Sequence, residues 1–157
     1  MLSDEREISN LCHRYATLLD HGDHDGLGRL FEHGELEIYT GSDLNSTSSA
    51  MDPLAGAHQI RAFYDRVHEP TCPERHVITN VILTIDASGQ SAAIQSYFQG
   101  VRLTGGGQIE ITAIGRYHDT FRRVDGRWRF AKKIIYGDYL SSMLERSLHQ
   151  AFGTAAE

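Results

Sequence analysis

The chain has 157 residues, 40% hydrophobic and 23% charged, the balance of a folded domain with a real core and not of a disordered segment. Its 15 Lys and Arg against 21 Asp and Glu leave a formal charge of −6, which argues against nucleic acid or an anionic membrane as partner. The charged opening Ser3-Asp4-Glu5-Arg6 has no apolar run behind it and no later stretch reaches membrane-spanning length, while Cys12 and Cys72 lie far apart without metal spacing; a cytoplasmic protein with no membrane partner is expected.

Ile8, Leu11, Cys12, Tyr15, Leu18 and Leu19 recur at helical spacing, which predicts an amphipathic helix over 4–21 with Ser3 as N-cap and Gly22 as its stop. A shorter helix is expected from Asp25 through Leu27, Leu30 and Phe31, followed by a strand at Leu36-Glu37-Ile38-Tyr39. Residues 41–53, rich in Ser, Thr, Asp and Asn, read as a mobile loop of the kind that rims a pocket. A helix from Ala57 to His68 would turn Ile60, Phe63, Tyr64 and Val67 inward.

Beyond Pro70 and Pro73 the pattern changes to four long strands, about 75–86, 91–103, 108–123 and 127–136. Asp86-Ala87-Ser88-Gly89, Thr104-Gly105-Gly106-Gly107 and Val124-Asp125-Gly126-Arg127 separate them with hairpin-turn chemistry. Residues 141–151 predict a closing helix. No repeat or linker divides the chain, so 1–157 is expected to be one domain. Helices first and a meander afterwards indicate an α+β fold, with helices packed on an antiparallel or mixed sheet. Strands this long must twist and curl, so helices across the open side would give a cone-shaped α+β barrel around one mostly apolar pocket.

Three stretches carry a family likeness: Arg14-Tyr15-Ala16-Thr17-Leu18-Leu19-Asp20-His21-Gly22-Asp23, Arg75-His76-Val77-Ile78-Thr79-Asn80, and the hairpin Tyr117 to Phe130 around Asp125-Gly126. In this order they resemble the SnoaL-like branch of the nuclear transport factor 2-like superfamily, within it the scytalone dehydratase, bile-acid 7α-dehydratase and hexachlorocyclohexane dehydrochlorinase enzymes. The resemblance implies a pair made of an Asp ending the first helix and a His opening the long strand, and Asp20 and His76 stand at those positions. It further matches Tyr15 to a functional tyrosine of the bile-acid enzyme and Tyr39 to a pocket tyrosine of scytalone dehydratase. The strand Ala93-Ile94-Gln95-Ser96-Tyr97-Phe98-Gln99-Gly100 departs from the pattern, carrying neither the second histidine of the one nor the additional aspartate of the other.

Asp20 would lie in the last turn of its helix, where the macrodipole disfavours negative charge, so it serves either the turn at Gly22 or a partner elsewhere. Imidazole takes and returns protons near neutrality, and a carboxylate on its far nitrogen would fix the tautomer; the alternative for His76 is a core histidine bonded to a backbone carbonyl. Tyr15 is either a proton donor or a core residue on the apolar stripe. Tyr39, Tyr97 and Tyr117, with Gln95 and Lys133, are the remaining candidates for facing a substrate. His21, His24 and His33 flank an exposed glycine turn, so no metal is expected there, and Gly105-Gly106-Gly107 is a hairpin and not a phosphate cradle.

The resulting expectation is a cofactor-independent lyase of the dehydratase type, acting on a mid-sized apolar molecule such as a polyketide, steroid or aromatic intermediate. An isomerase or cyclase would use the same groups. A ring-hydroxylating dioxygenase small subunit and a non-catalytic binding protein are the alternatives outside that chemistry. The resemblance also implies a homo-oligomer, dimer or trimer.

Overall fold

The computed structural model describes residues 3–43, 46–67 and 74–152. Cys72, Pro70, Pro73 and the expected helix end at His68 lie outside the described residues.

Helix α1 (Asp4–Asp20) starts where the Ser3 hydroxyl accepts the Arg6 backbone N–H, with Asp4, Glu5 and Glu7 complementing the positive end of the helix dipole. Its apolar stripe buries Ile8, Leu11, Cys12, Tyr15 and Ala16. Helix α2 (His24–Leu30) is capped by Asp23, whose carboxylate accepts the Gly26 N–H at 2.7 Å. Strands β1 (Glu35–Asp43), β2 (Ser46–Ser49) and β3 (Leu54–Ala55) follow, then helix α3 (Gly56–Val67). The expected mobile loop at 41–53 is therefore corrected. β1 continues to Asp43 and β2 pairs back on it, Tyr39 opposite Ser49 and Thr40 opposite Ser48. An edge ribbon has few apolar neighbours to satisfy, so Ser and Thr serve it as well as Val would.

Four long strands form the body: β4 (Glu74–Ile85), β5 (Ser91–Leu103), β6 (Ile109–Val124) and β7 (Arg127–Leu140), and α4 (Ser142–Phe152) closes the chain. The sheet runs β2-β1-β7-β6-β5-β4, with β3 also on β1. It is mixed, because β1 lies parallel to β7 while the other pairs are antiparallel. The sheet curls but does not close, so the barrel expected from sequence is an open half-cone with β2 and β4 at its edges. Bulges at Thr79/Ile82, Gly100/Val101, Ile114/Gly115 and Thr120/Phe121 supply the bends. At Gly115 the strands approach so closely that a Cβ would strike the Tyr136 carbonyl oxygen and the Phe98 ring. No helix among the described residues is long and apolar enough to cross a membrane.

Core and cavity share the concave face. Phe31, Phe121 and Phe130 form one aromatic cluster, Phe31 stacking on Phe130 at 4.8 Å between centroids. Phe98 and Tyr117 stack at 4.3 Å and 4°. Burial alternates along β5, so Ala92, Ile94, Ser96, Phe98 and Gly100 face inward and the residues between them face out.

Candidate active site

The end of α1 packs on the start of β4, and this contact brings together two residues far apart in sequence. One oxygen of Asp20, Oδ1, accepts from the His76 backbone N–H at 3.0 Å and lies 2.8 Å from His76 Nδ1. A carboxylate only accepts, so Nδ1 carries a proton, and in the neutral imidazole the lone pair lies on Nε2. The side chains are 11% and 12% exposed. The two donors offset the unfavourable position of a negative charge at a helix C-terminus.

His76 lines a cavity of about 140 Å³ between the concave sheet face and helices α1, α3 and α4. Its walls are mostly apolar, with Leu19, Ile38, Phe63, Phe98, Ile135 and Leu140 among them. Tyr15 and Tyr64 line it too, their hydroxyls 2.8 Å apart and their rings almost fully buried. Burial, above all, pushes both phenols up from their ordinary value, and in Tyr15 the adjacent Tyr64 adds to it. Both therefore stay protonated, and a pair sharing one hydrogen bond has a further O–H to offer. Tyr117, stacked on Phe98, lines the cavity too.

The other sequence candidates lie elsewhere. Ile38 and Thr40 face the cavity, so Tyr39 between them points away; its ring stacks on Tyr136 and its hydroxyl donates to Glu37 at 2.8 Å. Gln95 and Tyr97 fall on the outward parity of β5, and Tyr97 is 54% exposed. Lys133 does not reach the cavity surface either. It is fully buried behind it, Nζ 3.0 and 3.1 Å from the two oxygens of Asp119 and 3.4 Å from the centroid of the Tyr117 ring, with Tyr15 at 4.3 Å. Burial pushes the Asp119 carboxyl up while Lys133 pulls it back, with a net upward displacement.

Cys12 donates its thiol to Asp119 Oδ2 at 3.7 Å in this same buried cluster. Burial first, and Asp119 second, push the thiol up to about 12. Cys12 is expected to resist iodoacetamide at pH 8 in the folded protein and to react once urea unfolds it, because the thiolate is the nucleophile. Mass mapping of the Cys12 peptide reads this directly; rapid labelling without denaturant would show an open or ionised thiol.

Residues not named as site candidates from the sequence also reach the cavity: Tyr64, Glu74, Arg102 and Thr112. Tyr64 had a signal, since it lies on the inward stripe of α3 and carries a polar tip that a buried site must satisfy. Glu74 had one too, lying two positions before His76 on one strand and so on the same face. The histidines near the first turn disperse: His21 bonds the Thr17 carbonyl oxygen at 2.7 Å and His24 lies 2.7 Å from Asp65. Among the described residues no three His, Cys, Asp or Glu gather in a metal-holding group.

A profile of the SnoaL-like domain matches residues 1–133. Among solved structures, a Mycobacterium tuberculosis protein of unknown function superposes with a TM-score of 0.74 at 22% identity, over 94% of this chain and 88% of that one. A Novosphingobium aromaticivorans protein proposed as the beta subunit of an aromatic-ring-hydroxylating dioxygenase gives 0.70 at 16% identity, over 87% and 90%. Another from that organism, proposed as a scytalone dehydratase, gives 0.63 at 20% identity, over 88% and 89%. At such identities the likeness establishes the fold, which hosts several activities. No curated protein sequence matches the chain.

Proposed function

The chain belongs to the SnoaL-like domain family, and from that premise we propose that it is a cofactor-independent lyase of the dehydratase type, acting on a small, largely apolar ring-containing molecule. The observation that carries this reading is the 2.8 Å contact of Asp20 with His76 Nδ1, which leaves Nε2 as a base in a cavity shared with the Tyr15–Tyr64 pair. His76 Nε2 takes a proton from a carbon next to a carbonyl or an activating ring. Asp20 holds the imidazole and stabilises the imidazolium. The C–H electron pair becomes the new double bond as the β C–O bond breaks, and the leaving hydroxyl takes a proton from the phenol pair to depart as water. The imidazolium then returns its proton to the phenol through that water, restoring both groups. Nothing in the sequence requires a metal or an organic cofactor for this step.

Incubation with a panel of β-hydroxy ketones, from single-ring aromatic to polyketide- and steroid-like, tests the proposal by product mass. The expected product is lighter than its substrate by one water. A product of unchanged mass would replace the lyase with an isomerase, for which the same base and acid serve. Tight binding without any product would leave a ligand-binding module. The part-buried Asp20–His76 pair at the cavity wall supports the lyase over a dioxygenase small subunit.

Self-association belongs to the same proposal. The outer sheet face exposes Tyr97, Ile109, Ile111, Ile114 and Tyr139, with Ile114 directly opposite Tyr139, an apolar surface of the kind that marks interfaces. A homodimer or homotrimer would cover it.

A further inference from the structure

Glu74 brings a carboxylate into an otherwise mostly apolar cavity, and an uncompensated charge there is costly. Standing two residues before His76 on β4, it faces the same way, their Cα atoms roughly 6.6 Å apart by strand geometry. Its Oε1 accepts a hydrogen bond from the Thr112 hydroxyl, which reaches it from β6, two strands away. Gly100 on the intervening strand makes that reach possible. It pairs with His76 on one side and Ala113 on the other, beside the Gly100/Val101 bulge, and a Cβ on it would collide with both Glu74 Oε1 and Thr112 Oγ1. The carboxyl thus lies over a glycine with one oxygen tied. Among the described residues the other oxygen accepts no hydrogen bond. Arg102 also lines the cavity, its guanidinium donating to Glu110 at 3.1 and 2.7 Å and to the Met143 sulfur.

We infer that Glu74 is a specificity-determining anchor, its untied carboxylate oxygen accepting a hydrogen bond from a hydroxyl on the end of the substrate ring remote from the carbon that His76 deprotonates. The spacing of the two side chains along β4 suits a single ring between them. Burial, above all, holds the Tyr117 phenol up, with Tyr64 and Asp119 next and the charges of Glu74 and Asp20 adding to it. This deepens the lyase reading and rests on the cavity being its substrate site, but its test needs no turnover.

The probes are 4-hydroxyacetophenone, acetophenone and 4-methoxyacetophenone, which share a ring and a carbonyl and differ at the far end. Binding is measured by isothermal titration to the full chain. Wild type is expected to hold the hydroxy ketone about tenfold tighter than either of the others, the worth of one hydrogen bond to a charged acceptor. Glu74→Ala is expected to bring the hydroxy ketone to within about twofold of acetophenone, whose own affinity stays put. Gly100→Ala, which keeps the carboxyl but crowds its seat, should shift the preference the same way, and it stands in if Glu74→Ala fails to fold by near-UV circular dichroism. Equal affinities in wild type, no binding of any ketone, or a folded Glu74 variant that keeps the tenfold preference would each overturn the anchor. His76→Ala should retain the preference, so a failure of the lyase reading leaves this result standing and a failure of the anchor leaves the lyase reading intact.

Discussion

Replacing His76 by Ala is expected to lower kcat/KM by roughly 10³-fold on whichever β-hydroxy ketone the wild-type protein dehydrates, with the fold intact. The magnitude follows from what is lost. Nε2 is a base whose tautomer a partner fixes, and the phenols near it stay protonated and cannot replace it. Asp20→Asn should cost less, about 10². Both donors from His76 converge on the same oxygen, Oδ1. An Asn carbonyl can accept both, preserving the tautomer while removing the charge that stabilises the imidazolium. Asp20→Ala should fall toward the His76→Ala level, because orientation is lost with the charge. Steady-state kinetics of the three variants, with circular dichroism as the check on folding, measures the order. Full activity in both His76→Ala and Asp20→Asn would remove these residues from the chemistry.

The helices were legible because their signal is local. The stripe Ile8, Leu11, Cys12, Tyr15 reads directly as the buried face of α1, and the Asp125-Gly126 turn, with φ of 50° and 76°, does what its sequence announces. That Asp20 and His76 could meet came from family likeness, since no periodicity links positions 56 residues apart. Parity was the weak point in the strands. A strand's alternation says that two faces differ, but only its register against neighbours says which one is inside. Tyr39, named from the family likeness, and Gln95 and Tyr97, named for their chemistry, lie on the outward parity, whereas Glu74 was missed on the inward one. The pairing of Asp119 with Lys133 turns on a single irregularity. Phe121 sits opposite Phe130, and an unbroken ladder from there would place Asp119 opposite Lys132. The bulge between Thr120 and Phe121 advances the register by one and delivers Lys133 instead.

That one-residue shift carries the largest stability effect expected in the molecule. Lys133 and Asp119 are both fully buried, so deleting the ammonium strands a carboxylate in a medium that cannot solvate it. Lys133→Met should therefore destabilise the protein by about 3–5 kcal/mol at pH 7, read as a fall in the urea midpoint with an unchanged slope. The double variant Lys133→Met, Asp119→Leu should recover most of the loss, since an apolar pair of similar volume leaves no charge behind. The pH dependence has a definite sign. Burial already displaces Asp119 upward from its ordinary value of 3.8, and without Lys133 nothing comparable opposes it. A group with a raised folded pKa stabilises fully below its unfolded value and loses that contribution as pH rises through the folded one. The deficit of Lys133→Met should thus be greatest at neutral pH and shrink as pH falls toward 3.8. A variant as stable as wild type at pH 7 would mean that the Tyr15 and Tyr117 rings hold their positions without the cation beneath them. In that event the cavity floor owes its shape to aromatic packing alone.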